Sequence, residues 1–229
     1  MSIYAIIINN LERDNQNDLA NKRDDERNTM LTKNELKTYT QLMKTRFMED
    51  PGVIYQVKDL DRAELLIEAQ FEGQIQAFME VNALQVIEGG KGMLFGYSTK
   101  ELPEEQLMDV MQQSSLKLME VMTATELQVI QDRAIKQAQI IPQNWHLRYY
   151  SGDVYHLLVI ATDESTKGTG VFRKLITPVL EKCAANQEPI VLETFNPDNL
   201  PIYEHFGFQL METHASDEMG LTCYCMMRS

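Results

Sequence analysis

The chain opens on an apolar run, Met1-Ser-Ile-Tyr-Ala-Ile-Ile-Ile8, which is too short to span a membrane and lacks the basic flank and cleavage site of a signal peptide. It predicts a buried strand. Residues 12–29 have only Leu19 and Ala20 as apolar side chains, too few to bury a face, and predict an exposed arm. Helical periodicity begins at Thr32, which stands three residues before Glu35 in the spacing of a capping box. Leu36, Tyr39, Leu42/Met43 and Phe47 follow at helical intervals, and Asp50-Pro51-Gly52 predicts the stop. Val53 to Val57 reads as a short strand. A second helix is expected over 61–82, with Ile67, Phe71, Ile75 and Phe78/Met79 on one face and Gly73 as a tolerated interruption.

Two apolar runs, Leu84–Ile87 and Met93–Tyr97, are separated by Glu88-Gly-Gly-Lys-Gly92 and predict a hairpin. Two helices follow, one defined by Leu107, Met111, Leu118 and Met122, the other by Leu127, Ile130, Ala134 and Ala138, with Thr125 and Gln128 as its expected cap. Residues 146–160 read as two strands joined at Ser151-Gly152-Asp153. The remainder is βαβαβ-like: a strand to Ile160, a loop, a helix from about Gly170 to Ala185, a strand Ile190–Phe195, a short helix near Asn199–His205, and strands through Arg228. The expected class is α/β (α+β), with a sheet of mixed strand direction flanked by helices. Residues 31–229 read as one domain after the N-terminal strand and arm of residues 1–30.

Charge narrows the function. The 229 residues carry 21 Lys and Arg against 34 Asp and Glu, a net −13, which argues against holding nucleic acid by phosphate neutralisation and favours cationic partners. The three cysteines, Cys183, Cys223 and Cys225, are odd in number and form no CxxC pair, so no metal site is expected and reduced thiols in the cytoplasm are the default. Cys223 and Cys225 alternate on a strand and read as core. No membrane association is expected.

Chemistry concentrates in the loop Asp163-Glu-Ser-Thr-Lys-Gly168-Thr-Gly170, between a predicted strand and a predicted helix. Two closely spaced glycines let backbone N–H groups approach an anion, and the helix start adds partial positive charge. A plain turn explains the same residues. A dinucleotide fingerprint would need glycine at Arg173, and a P-loop would need GK[ST] where Gly170-Val171-Phe172 stands, so neither nucleotide fold fits.

A second constellation follows about 30 residues on: Glu193-Thr194, Asn196, Asn199-Leu-Pro-Ile-Tyr203-Glu and Gly207-Phe208. Together with the GxG loop it resembles the GCN5-related N-acetyltransferase (GNAT) superfamily, strongly over residues 146–229. The C-terminal part, ending Cys225-Met-Met-Arg228, is most similar to puromycin N-acetyltransferase-like members, which also resemble this chain in having a proline at Pro178, within the helix. The resemblance implies a mostly antiparallel, twisted sheet with splayed central strands, a CoA-binding core over about 146–210, and acetyl-CoA as cosubstrate.

Carried over by position, the resemblance implies that Leu158 and Ile160 pair with pantetheine. Gly168, Thr169, Gly170, Val171 and Phe172 would then face the pyrophosphate through their N–H groups, with Lys167 and Arg173 adding charge. Ser165 stands where the family has Gln or Arg, and Thr162 replaces a usual proline. Asn196 and Asn199 match positions that contact CoA or order the site, and are equally read as a cap and a turn. Tyr203 matches the tyrosine that acts as general acid on the departing thiolate. A phenol can donate without becoming charged, and a thiol with a pKa near ~8.5 leaves better protonated. As a base for the incoming ammonium, His156 and Glu193 both qualify, and both have structural readings; His146, His205 and His214 have no supporting spacing. The implied reaction is direct acetyl transfer to the primary amine of a small molecule. A protein or peptide N-acetyltransferase and a non-catalytic acyl-CoA-binding module are the alternatives, and a homodimer stays open.

Overall fold

The computed structural model describes residues 31–229; the strand expected at residues 1–8 and the arm at 12–29 lie outside the described residues. Helix α1 (Lys33–Phe47) starts on a complete capping box, in which the Thr32 side chain accepts from the Glu35 N–H and the Glu35 carboxylate takes the Thr32 N–H at 2.8 Å. The segment expected as a strand at 53–57 is helix α2 (Pro51–Val57). Asp50 caps it and Pro51 occupies its first turn, so the residues read as a stop also start a new helix, and this local signal overrides the β preference of Val, Ile and Tyr.

Helix α3 (Ala63–Glu80) buries Ile67, Ile75 and Phe78 completely. Gly73 within it is a contact point, because a Cβ there would stand 2.3 Å from the Ser114 carbonyl oxygen of α4 (Glu104–Val121). The two helices therefore approach backbone to backbone at the position where α3 has no side chain. Helix α5 (Ala124–Ala138) is capped by Thr123 and Glu126, not by Thr125 and Gln128. The box lies two residues earlier because Glu126 also meets Arg62, whose Nε donates to its Oε1 at 3.0 Å.

The hairpin forms as expected from β1 (Leu84–Ile87) and β2 (Gly92–Ser98). Of the two strands expected over 146–160 only β3 (Tyr155–Thr162) exists; Trp145–Arg148 is a short 3-10 turn that buries the Trp145 indole. Helix α6 (Val171–Asn186), β4 (Ile190–Thr194), α7 (Leu200–His205), β5 (Gln209–Ser216) and β6 (Leu221–Arg228) complete the chain, with Pro178 inside α6.

Among the described residues, six strands form one sheet in the order β1-β2-β3-β4-β6-β5, and every neighbouring pair is antiparallel except β3–β4. Strand β2 shows the layering: Met93 and Phe95 join the core under α1, α3 and α4, while Leu94 points to Leu175 and Ile176 of α6 on the opposite face. Such fully buried side chains each contribute about 1.5–3 kcal/mol. A third cluster joins Trp145, Val154 and Val191 to Cys223 and Cys225, which are wholly buried.

A cleft between the splayed central strands

Strands β3 and β4 pair only through Tyr155 with Ile190 and His156 with Val191. Beyond that point they diverge. On its other side β3 carries a bulge: Phe95 opposes Val159 and Gly96 opposes Leu157, which leaves Leu158 as the extra residue. The stretch Leu157–Ile160 thus keeps an edge with no strand partner on the β4 side, and it forms one wall of a cleft. Glu193, Thr194 and Phe195 form the other wall, Gln70, Phe71 and Gln74 of α3 contribute the floor, and Phe47, Asp50, Asn199 and Tyr203 complete the lining.

Of the residues singled out in the sequence, the cleft brings together Leu158, Ile160, Glu193, Asn199 and Tyr203. The Tyr203 ring packs against Phe208 and Phe172, with ring centroids 5.5 and 6.3 Å away. Its hydroxyl has no hydrogen-bond partner among the described residues. Burial, with the nearby Asp50 carboxylate adding to it, raises the phenol's pKa, so the group is a proton donor at neutral pH. Asn199 is oriented by its Nδ2, which donates to Thr194 Oγ1 at 3.0 Å. Glu193 receives the Trp145 indole N–H on Oε1 at 2.7 Å.

Other candidates lie elsewhere. His156 does not line the cleft: it stacks on Tyr97 at 5.3 Å between centroids and faces a separate cavity with His146. Burial drives its pKa far down, so the ring is neutral. The physical reason is its place on β3: His156 still pairs with Val191 in the closed part of the seam, before the strands diverge from Leu157 onward. Asn196 points its Oδ1 at the Asp198 N–H, 3.0 Å away, and closes the turn at Pro197–Asn199.

The loop after β3 has the backbone of an anion cradle. Gly168 and Gly170 have φ of 77° and 82°, and a Cβ on either would meet nothing within 4 Å. Gly170 is the N-cap of α6 and offers no side-chain cap, so the first N–H groups of the helix are free of one. The Lys167 and Thr169 N–H groups are already committed, donating to Glu164 O at 3.1 Å and Thr166 O at 3.0 Å. That removes those two from the set of backbone donors. Arg173 lies over the Phe206 ring at 5.3 Å and contacts His205 Nε2 at 3.2 Å. Ser165 is held by Asp163, which accepts its N–H at 2.9 Å. The first turn of α6 reaches the cleft through Phe172, beside Tyr203.

One lining residue had no place among the sequence candidates. Asp50 Oδ1 accepts the Gly52 and Val53 N–H groups at 2.9 and 3.1 Å, and burial raises its pKa despite those bonds. Its sequence signal, Asp-Pro after a helix, reads only as punctuation. Gln74 was likewise invisible: it is 2% exposed, and its Oε1 has no hydrogen-bond partner. Among the described residues that line the cleft, Asp50 and Glu193 are acidic and none is Lys, Arg or His.

No protein-family model matches the sequence. An uncharacterised N-acetyltransferase of Schizosaccharomyces pombe is 41% identical over 54 residues, which are 24% of this chain and 22% of that protein, so the chain spans about a fifth of that relative's length. Two solved structures cover most of the chain. One, described as histone acetyltransferase HPA2 and related acetyltransferase from Corynebacterium glutamicum, superposes with a TM-score of 0.55 at 19% identity, covering 86% of this chain and 92% of that one. A mosquito arylalkylamine N-acetyltransferase-like protein gives 0.52 at 13% identity, covering 86% and 95%. The likeness is one of fold: the open six-stranded sheet with flanking helices is that of GNAT-type acetyltransferases.

Proposed function

We propose that the protein is an acetyl-CoA-dependent N-acetyltransferase that acetylates the primary amine of a small molecule by direct attack. The observation that carries this reading is the splay of β3 from β4 after two residue pairs, which leaves the Leu157–Ile160 edge unpaired beside the Tyr203 hydroxyl. An unpaired strand edge suits an amide-bearing chain such as pantetheine, which can hydrogen-bond to it as a further strand would. The uncapped N–H groups at the start of α6, with open space over Gly168 and Gly170, suit a pyrophosphate. The residues present therefore fit acetyl-CoA, which supplies an activated acyl group as a thioester.

In this reading Leu158 and Ile160 hold the pantetheine through backbone groups, and Val171 to Arg173 hold the phosphates. Tyr203 donates its phenolic proton to the sulfur as the C–S bond breaks. Asn199, fixed by Thr194, orders the segment that carries Tyr203. The neighbours' descriptions divide, one naming histone acetyltransferase and the other arylalkylamine N-acetyltransferase-like, and the second is consistent with a small-molecule acceptor. Isothermal calorimetry with CoA, followed by CoA release from acetyl-CoA against a panel of primary amines, tests the reading. Absence of CoA binding at millimolar ligand would overturn it.

A further inference from the structure

Direct acetyl transfer to an ammonium needs a group that first removes a proton. His156 opens on another cavity, whereas Glu193 shares the cleft, held at Oε1 by the Trp145 indole. Of the two cleft carboxylates, Asp50 is the one whose charge acts on the Tyr203 phenol. Its Oδ1 is held by two backbone N–H groups, which fixes the carboxylate, while Oδ2 has no hydrogen-bond partner among the described residues. Among the described residues, the charged or titratable groups that share the cleft with it are Glu193 from β4 and Tyr203 from α7, and no Lys, Arg or His lines it. Gln74 adds a buried amide oxygen without a donor among the described residues, an unfavourable state that a donor on the acceptor would relieve. Gln70, Thr194 and Asn199 add uncharged polar groups to the lining, and its apolar part includes Phe47 and Phe71, with centroids 4.8 Å apart, Phe195 and Leu158.

We propose that Asp50 docks the acceptor's ammonium and takes its proton, and that the acceptor is a primary amine on an uncharged body with an aromatic or other apolar face. The inference rests on the acetyltransferase reading and specifies its acceptor side. The Asp50 carboxylate accepts one proton from R–NH3+, leaving a nitrogen lone pair that forms the C–N bond as the thioester C–S bond breaks. Tyr203 protonates the sulfur, and the second amine proton returns to the Tyr203 oxygen through solvent. The products are the amide, the free thiol and one proton, which Asp50 releases to water. An acceptor carrying its own carboxylate beside the amine would face Asp50 and Glu193 with no Lys, Arg or His among the described lining residues to neutralise it.

The test compares wild type with Asp50→Asn, which keeps a capping oxygen for Gly52 and Val53. CoA affinity is measured first, by calorimetry. Binding of 2-phenylethylamine to the CoA-saturated protein is measured next, and then kcat/KM for that amine and for phenylalanine across pH. The expected result is CoA affinity unchanged within about twofold, amine binding weakened by about tenfold, and kcat/KM lowered by about 10²-fold or more. In wild type, kcat/KM should rise with pH through a limb above the ordinary aspartate range, and the variant should lack that limb. Wild type should act far better on phenylethylamine than on phenylalanine. CoA binding with no phenylethylamine binding in wild type, a variant with unchanged kcat/KM and pH profile, or equal use of both amines would each overturn the proposal and leave the acetyl-CoA reading standing. Failure to bind CoA would instead strike the acetyltransferase reading itself.

Discussion

Replacing Gly73 with alanine sets two effects of opposite sign against each other. In an isolated helix the change stabilises by about 1 kcal/mol, because glycine is the poorer helix former. Here the new Cβ would lie 2.3 Å from the Ser114 carbonyl oxygen and 3.3 Å from Lys117 Cβ. The first contact is against backbone in the middle of α4, so no side chain can swing aside, and relief requires the helices to part by about 1 Å in a close-packed interior. Overpacking of this kind costs about 1–3 kcal/mol, and an immovable partner puts it at the upper end. The net expectation is a loss of about 1–2 kcal/mol, equivalent to about 2–8 °C in Tm for a domain of this size. Urea denaturation followed by circular dichroism measures it, and the midpoint should fall with the slope unchanged. Because α3 also carries Gln70, Phe71 and Gln74, the same variant should raise KM for the acceptor. An unchanged or raised midpoint would show that α3 and α4 do not touch at Gly73.

Tyr203→Phe keeps the ring against Phe172 and Phe208, so stability should change by under about 0.5 kcal/mol while kcat falls by about 10²-fold; an unchanged kcat in steady-state assays would remove the general-acid role. Gly170→Glu should abolish CoA binding in calorimetry, whereas Gly170→Ala, which bears the same strain of about 1–2 kcal/mol at φ 82°, should retain it; equal binding by both variants would refute the cradle. Glu126 has its pKa lowered to about 2 from 4.5, chiefly by Arg62 and also by the Thr123 N–H. A lowered carboxyl pKa stabilises the fold at neutral pH and ceases to do so as pH falls from 4.5 towards about 2. Urea midpoints of wild type and Glu126→Gln should therefore differ at pH 7 and converge over that acid range.

Much of the fold was legible because its signals are local. The Thr32/Glu35 box, the Gly-rich hairpin at 88–92 and the stripe through Ile67, Phe71 and Ile75 each depend on residues within a few positions of one another. The errors arose where a local preference met a stronger constraint. Val53–Val57 has strand-forming side chains, yet Asp50 and Pro51 start a helix before them. Residues 146–150 have strand-like composition, but the Trp145 indole is drawn into the core beside Cys223 and Cys225 and the chain turns around it. Within the cleft, Leu158, Glu193, Asn199 and Tyr203 come from two short segments whose spacing could be read. Asp50 and Gln74 could not be found that way, since they reach the cleft from α1–α2 and α3, more than 80 residues away in the chain. His156 shows the converse limit, because the sequence does not reveal where two strands part, and His156 lies on the last β3–β4 pair, just short of the opening.

The two-pair seam between β3 and β4 also divides the sheet in a way that matters for its motions. Strands β1, β2 and β3 come from residues 84–162, and β4, β5 and β6 from residues 190–228, so each half of the sheet is one unbroken stretch of chain with its own antiparallel ladders. What spans the divide is α6, the connection between the two stretches, which lies across β1, β2 and β3 and packs against Ile190, Leu192 and Met226 of the other half. Two such halves are candidates for separate cooperative units, opening to solvent exchange at different free energies. A molecule lodged along the Leu157–Ile160 edge would stitch them together. Amide exchange should then show two distinct levels of protection in the free protein and a single, slower level once the gap is filled, which makes the sheet's mechanical continuity a property of the complex.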